Sequence, residues 1–351
     1  MSPVSAVPPI PAIPAVARSR RDASSAPLYR QVCDQLELLA MNIPLGDDAP
    51  LPPETQLMTR FGVSRGTLRR AVEELVREGL LAIEPGRGTF VVQSTKVRWT
   101  VWDRLHEVAV ADSRFDRDLS RFVPDFDGRE ECDRELWALS AYSAASTVFF
   151  APDNSLEIAR RQALAEGKRI IVPTFGMRRG FVLLDGSAIE QGQHAFAATL
   201  DGMERVGLRL DLAALRAIGS VDLVVTGAVA VTRRGLHFGG GDGYFDLEWA
   251  LLRHCGLVTS RTLVAVIAHD CQVLDADIRP GRHDAVADIV ITPTTVLHCA
   301  PSLPKPEGII WEEIRTMWND DISYVRELRD ELAPSDAAST SLPRRWREPS
   351  R

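Results

Sequence analysis

Apolar positions change their spacing twice along the chain. Leu28, Val32, Leu36 and Leu39 recur at helical intervals, which predicts an amphipathic first helix. Glu54–Phe61 reads as a short second helix entered through Pro52 and Pro53. Leu68, Ala71, Val72 and Leu75 stripe a third helix from Arg65 to Glu78, with Ser64 as N-cap and Gly79 as its stop. Two β-branched runs follow, Leu80–Ile83 and Thr89–Val92, joined by a turn over Glu84–Gly88. Beyond residue 95 the pattern changes. Short strand candidates at Thr147–Phe150, Arg169–Pro173, Val221–Thr226, Thr262–Ala268 and Asp288–Thr292 alternate with helical runs that include Ser155–Glu166, Ala197–Val206 and Phe245–Cys255. Strands apolar on both faces, separated by helices, predict an α/β domain with a mostly parallel sheet.

Composition sharpens this picture. A chain of 351 residues is long enough for two folded units. No apolar run reaches the ~18–20 residues of a membrane-spanning helix, so no membrane partner is expected. Residues 1–25 hold five prolines and residues 334–351 four arginines, and both are expected to be disordered tails. The expected division is therefore a tail at 1–25, a helical and hairpin domain at 26–94, an α/β domain at 95–333 and a tail at 334–351. The five cysteines stand singly, which argues against a zinc ribbon or a disulfide scaffold and for a reducing, cytoplasmic compartment.

The formal net charge of −7 speaks against nucleic acid when taken over the whole chain. By segment the reading differs. Residues 26–95 carry seven Arg against nine acids, each tail carries +2, and the remaining −9 belongs to 96–333. The positive charge of the first domain is concentrated in Arg65, Arg69, Arg70 and Arg87. Arg65 and Arg69 are neighbours one turn apart, and Ser64, Gly66 and Thr67 cluster at the start of the same helix. Such a helix start can grip phosphates through hydroxyl and backbone N–H groups while its arginines reach guanine edges in a major groove.

The segment LPPETQLMTRFGVSRGTLRRAVEELVREGLLAIEPGRGTFVV resembles the winged helix-turn-helix of GntR-family transcriptional regulators. The resemblance implies an α+β DNA-binding domain on a double-stranded operator, working as a homodimer and needing no cofactor for DNA binding. Ser64 stands at the start of the recognition helix. Arg65, Thr67 and Arg69 match recognition-helix contacts, and Arg87 and Gly88 match the wing. Thr55 replaces a frequent arginine of that family, and Pro53 replaces its capping serine.

The second domain has one conspicuous loop, Thr232–Asp246, with four glycines within the five residues 239–243. It lacks the GK[ST] of a Walker A loop, and Tyr244 stands where a dinucleotide fingerprint needs its third glycine. Together with LVAVIAHDCQVLDADIRPGRHDAVADIVITPTTVL, this loop resembles the 5-formyltetrahydrofolate cyclo-ligase family. The resemblance implies a cyclo-ligase-like α/β fold with ATP and Mg²⁺ as cofactors. It places Gly239, Gly241, Gly243 and Tyr244 on phosphate, Asp246 on the metal, and Arg98 as the N-terminal basic residue. Asp242 and Leu247 stand where that family carries basic residues, and Phe149 where its divergent members tend to have lysine.

These losses favour a GntR-type regulator whose cyclo-ligase-like domain senses a small folate-, nucleotide- or phosphate-bearing effector. The alternative is an ATP-dependent 5-formyltetrahydrofolate cyclo-ligase with an accessory DNA-binding domain. The pairs His269-Asp270 and His283-Asp284 read as local caps, because no third ligand stands at metal spacing.

Overall fold

The computed structural model describes residues 27–47, 49–110, 123–239, 243–278, 280–300, 304–311, 314 and 322–332. The two expected tails lie outside the described residues, as do Gly241 and Asp242 of the glycine loop.

Three helices open the fold: α1 (Leu28–Asn42), α2 (Glu54–Phe61) and α3 (Arg65–Arg77). Gly62, at φ +65°, ends α2 in the left-handed conformation that favours glycine. Ser64 then caps α3, its Oγ accepting the Thr67 N–H at 3.3 Å. Val32, Cys33 and Leu36 of α1, Leu57 of α2, and Leu68, Ala71 and Leu75 of α3 form one core. The antiparallel hairpin β1 (Leu81–Glu84) and β2 (Gly88–Val91) closes it through Leu81 and Val91.

The change of spacing near residue 95 falls inside a single helix, α4 (Gln93–Val108). Trp99 on this helix packs on the core of α1–α3. Val97 and Val101 pack instead with Val229, Ala230, Leu236 and Leu274 of the second domain. Lys96, between these faces, is 2% exposed and its Nζ has no hydrogen-bond partner. Burial pushes its pKa down. Lys96→Met keeps the stem and removes the desolvated amine, so it is expected to stabilise the full chain by about 1–3 kcal/mol in urea denaturation. An unchanged or lower midpoint contradicts this.

The second domain continues with α5 (Arg129–Ala138), α6 (Ser140–Ala144), β3 (Thr147–Phe150), α7 (Glu157–Ala165), β4 (Arg169–Pro173) and β5 (Phe181–Asp185). Next come α8 (His194–Ala197), α9 (Leu200–Val206), β6 (Leu208–Arg209), α10 (Leu212–Ala217), β7 (Leu223–Gly227), β8 (Ala230–Thr232) and β9 (His237–Phe238). The last described elements are α11 (Tyr244–His254), β10 (Leu263–Ile267), β11 (Val273–Leu274), β12 (Ile289–Ile291), β13 (Val296–His298) and α12 (Ser323–Leu332).

The large sheet runs β13-β12-β10-β7-β3-β4-β5-β6. Its five central strands, β12 to β4, are parallel, and the edges are antiparallel. A small sheet, β11-β8-β9, packs beside it. This is the expected α/β domain with a mostly parallel sheet. From β3 the chain builds outward through β4 on one side and through β7, β10 and β12 on the other. The switch point therefore lies between β3 and β7, and the crevice beyond their carboxyl ends is where such sheets bind ligands.

Candidate functional site

On the first domain, α3 presents a polar N-terminal face. Ser64 Oγ and Thr67 Oγ1 are 3.0 Å apart. Arg65 Nε lies 3.5 Å from Glu54 Oε2, and Arg69 Nε lies 3.1 Å from Glu54 Oε1. Both guanidinium side chains are 59% exposed. Glu54 stands in the first turn of α2, where the helix dipole favours a carboxylate. One acid thus holds the two arginines side by side. Arg70 points elsewhere and stacks on the Tyr29 ring at 3.9 Å from its centroid. Arg87, at the hairpin tip, pairs with Glu84 and lies over the Phe90 ring. Gly88 has φ +132°, and a Cβ there would stand 3.1 Å from Pro50. Sequence reasoning did not find Glu54. Its signal was an acid at the first helical position, within reach of two arginines on the next helix.

On the second domain, the switch-point crevice is lined by Asp153, Ser155 and Gly227. The Gly227 N–H donates to Asp153 Oδ2 at 2.8 Å. A Cβ at Gly227 would stand 2.9 Å from Asp153 Oδ2 and 3.0 Å from Ser155 Oγ, so only glycine leaves this cradle open. Ser155 Oγ is fully buried and has no hydrogen-bond partner. Arg160, also buried, donates to the carbonyls of Ala151, Asp153 and Ala198 and so braces the loop from beneath.

The helix α11 brings two more acids. Asp246 Oδ1 accepts the Ala285 N–H at 2.7 Å. Glu248 is 3% exposed. Burial raises the Asp153 carboxyl to about 6. Burial, and then the nearby Asp284, raise Asp246 to about 7. Burial, reinforced by Asp153 and Asp246, holds Glu248 well above the usual carboxylate range. His237 is pushed down to about 4 by burial. Its Nε2 lies 2.8 Å from the Gly227 carbonyl. A carbonyl only accepts, so this nitrogen carries the proton of the neutral ring. Glu248 was not singled out from the sequence, although an acid inside the otherwise apolar run Leu247–Leu252 is its signature.

Gly243, at φ +66°, sits at the N-cap of α11. Tyr244 is 37% exposed, and a Cβ at Gly176 would stand 3.5 Å from its hydroxyl. Gly239 follows β9, and a Cβ there would stand 3.5 Å from His237 Cε1. Arg98 lies on α4, which packs on β8 and β9, and its Nη2 donates to Thr95 Oγ1 at 3.0 Å. Leu247 and Phe149 are both fully buried core residues, so neither position offers a cation to a ligand. The His-Asp pairs are locally engaged, as expected. His269 Nδ1 accepts the Cys271 N–H at 3.2 Å, Asp270 Oδ1 accepts from the Thr292 and Thr294 hydroxyls at 2.6 Å, and His283 Nε2 lies 3.1 Å from Asp284 Oδ1.

Residues 92–293, more than half of the chain, match the 5-formyltetrahydrofolate cyclo-ligase family. The chain belongs to this family. Ahead of its cyclo-ligase domain, residues 28–91 match the GntR family of bacterial regulatory proteins. The mouse methenyltetrahydrofolate synthase domain-containing protein is 32% identical over 252 residues, covering 68% of this chain and 64% of the mouse protein. This cyclo-ligase family chain thus spans just under two thirds of that relative. The HTH-type transcriptional repressor NagR of Bacillus subtilis (strain 168) is 47% identical over 68 residues, which is 19% of this chain and 28% of NagR. Among solved structures, the Aquifex aeolicus 5,10-methenyltetrahydrofolate synthetase is 20% identical with a TM-score of 0.36, covering 60% of this chain and 96% of its own. No helix among the described residues is long and apolar enough to cross a membrane.

The family's ATP and Mg²⁺ can be tested against these residues. Among the described residues, no three His, Cys, Asp or Glu side chains are grouped to hold a metal ion. Mg²⁺, however, commonly takes one or two carboxylates and completes its shell with waters and substrate phosphates. The orphaned Ser155 hydroxyl, the open cradle at Gly227 and carboxylates that burial disfavours as anions fit a cation arriving with a phosphate-bearing ligand. They do not make a free-standing metal site.

Proposed function

We propose that this chain is a DNA-binding transcriptional regulator, a cytoplasmic homodimer on a double-stranded operator, whose cyclo-ligase family domain senses a small folate-, nucleotide- or phosphate-bearing effector. The observation that carries this reading is a complete GntR-type domain joined, through the single helix α4, to a ligand crevice whose Leu247 and Phe149 positions are apolar core. The likeness to a repressor over 68 residues supports the DNA half. A homodimer suits it, because one small module gives limited specificity and two half-sites give more. The DNA face is assigned to Ser64, Arg65, Thr67 and Arg69, with Arg87 and Gly88 on the wing. When an effector with ATP-like phosphates is bound, Gly239, Gly241, Gly243 and Tyr244 would hold phosphate and Asp246 the accompanying Mg²⁺, which neutralises phosphate charge. Arg98 would supply a cation from α4.

The test is selection of a duplex from a random pool by the full chain, followed by a thermal-shift screen of folates and nucleotides. Failure to enrich any sequence sinks the reading. Because Arg65 and Arg69 share Glu54, each DNA contact must compete with an existing ion pair. Glu54→Gln is expected to tighten duplex binding several-fold, and anisotropy titration reads it. Weaker binding by this variant contradicts the assigned face. The few available cations also predict a shallow dependence of affinity on salt.

The enzyme reading rests on the retained Asp246 and the crowded acids Asp153 and Glu248. Formation of methenyltetrahydrofolate from 5-formyltetrahydrofolate and Mg-ATP, abolished by Asp246→Ala, would establish it.

A further inference from the structure

The end of α3 and the expected phosphate-facing arginine are joined by one side chain. Thr95, buried in the first turn of α4, donates its hydroxyl proton to the Gly79 carbonyl at 2.8 Å. Gly79, at φ +74°, lies two residues beyond the last residue of α3. A hydroxyl has one proton. With that proton committed to Gly79, Thr95 Oγ1 is an acceptor towards α4, and Arg98 Nη2 donates to it at 3.0 Å. The chain Arg98–Thr95–Gly79 therefore runs from the linking helix α4 to the C-terminal end of the helix assigned to DNA.

The surroundings make this connection tight. Trp99 anchors α4 in the first domain's core, and Val97 and Val101 anchor it in the second. Gln93, one turn before Val97, accepts from Gly46 N and donates to Asp47 O, fixing the loop after α1 on the same helix. A Cβ at Gly46 would stand 2.6 Å from the Asp277 carbonyl, so the first domain's loop lies directly on the second domain. A shift of α4 is thus felt on both sides, and packed interfaces of this kind respond by discrete rearrangement rather than smooth deformation.

We propose that Thr95 is the positioning residue that couples the two functions. An anionic effector that draws the Arg98 guanidinium towards itself withdraws the donor from Thr95 Oγ1. The freed hydroxyl then loosens its hold on Gly79, and the start-to-end tilt of α3 against the duplex changes. This inference rests on the regulator reading above and specifies how its ligand domain acts. It identifies the effector class as one bearing phosphate or carboxylate, since a guanidinium responds to these through paired hydrogen bonds.

The experiment uses the full chain, a duplex selected from a random pool, and Mg-ATP as the phosphate-bearing probe. Duplex affinity is measured by anisotropy with and without Mg-ATP, and Mg-ATP binding separately by calorimetry. Wild type is expected to shift its duplex affinity by about tenfold, inside the roughly 5- to 150-fold range of ordinary coupling. Thr95→Val, which keeps the shape and removes the hydroxyl, should bind Mg-ATP, and its duplex affinity should stand at the Mg-ATP-bound value of wild type with or without Mg-ATP, the shift collapsing towards none. Thr95→Ser, which restores the hydroxyl, should restore the shift.

A full shift in Thr95→Val overturns the proposal, as does no shift in wild type that binds both partners. Failure of wild type to bind any duplex overturns the regulator reading and the coupling with it, whereas failure to bind Mg-ATP overturns the coupling alone. Should Thr95→Val not fold, amide hydrogen exchange of wild type at residues 78–81 decides. Mg-ATP should speed exchange there, and unchanged exchange overturns the proposal.

Discussion

Replacing Arg65 and Arg69 together by alanine is expected to weaken duplex binding by roughly 10²- to 10⁴-fold, since each arginine on a base edge contributes about 1–3 kcal/mol. The fold should survive. Both side chains are largely exposed, alanine is the best helix former, and Leu68, Ala71 and Leu75, which hold α3 in the core, are untouched. The pairs lost with Glu54 are exposed ion pairs, worth little to stability. Arg70→Ala supplies the contrast. Arg70 stacks on Tyr29 of α1, so its loss should lower the thermal midpoint slightly while leaving duplex affinity within a few-fold of wild type. Circular dichroism confirms the folded state and anisotropy gives the affinity. Wild-type affinity in the double variant removes α3 as the reading helix.

The first domain was legible because its local signals agree. The 3.6-residue spacing of Leu68, Ala71 and Leu75, the cap at Ser64 and the left-handed glycines at 62 and 79 all specify the same helices. In the second domain, β3 and β4 occur at Thr147–Phe150 and Arg169–Pro173, as the apolar runs predict. The antiparallel strand β5 was not anticipated, because it depends on the tight Thr174–Gly180 turn, where Gly176 and Gly180 have positive φ. The run at Ala197–Val206 divides in the structure, since Thr199 caps a new helix by accepting the Gly202 N–H. Strands as short as β8, β9 and β11 hold too few residues to show any alternation.

The candidate crevice was legible only in part. Gly243, Tyr244 and Asp246 fall within four consecutive residues and carry a motif. Asp153, Ser155, Gly227 and Glu248 come from three separate elements, and only the β3–β7 switch point brings them together. Likewise, nothing in the sequence marks Thr95, whose role depends on a carbonyl sixteen residues earlier in the chain.

The second large effect concerns pH and follows from the crevice acids. A carboxyl whose folded pKa is raised above its unfolded value stabilises the fold fully below the unfolded value, and that contribution is lost as pH rises through the folded one. Asp153 is raised to about 6 and Asp246 to about 7, so the loss spans roughly pH 4 to 7, and Glu248 extends it upward. His237 has the opposite sign. Its pKa is lowered to about 4, so its contribution is present above 6.5 and is lost as pH falls towards 4. Three acids outweigh one histidine. The thermal midpoint of the ligand-free chain is therefore expected to be higher near about pH 5.5 than near about pH 8, by on the order of 10 °C. That size assumes about 1.4 kcal/mol per pK unit and roughly 2–4 °C per kcal/mol, with partial cancellation. Asp246→Asn should flatten the profile by removing the largest of the two bounded shifts. Mg²⁺ alone should leave the fall in place, because the described acids form no free-standing metal site. Mg²⁺ supplied with a phosphate-bearing nucleotide should reduce the fall, because the cation then reaches Asp246 with most of its shell already provided. A midpoint that rises with pH from about 5.5 to 8 in the ligand-free chain means that the acids are ionised and solvated, and that burial does not hold them protonated.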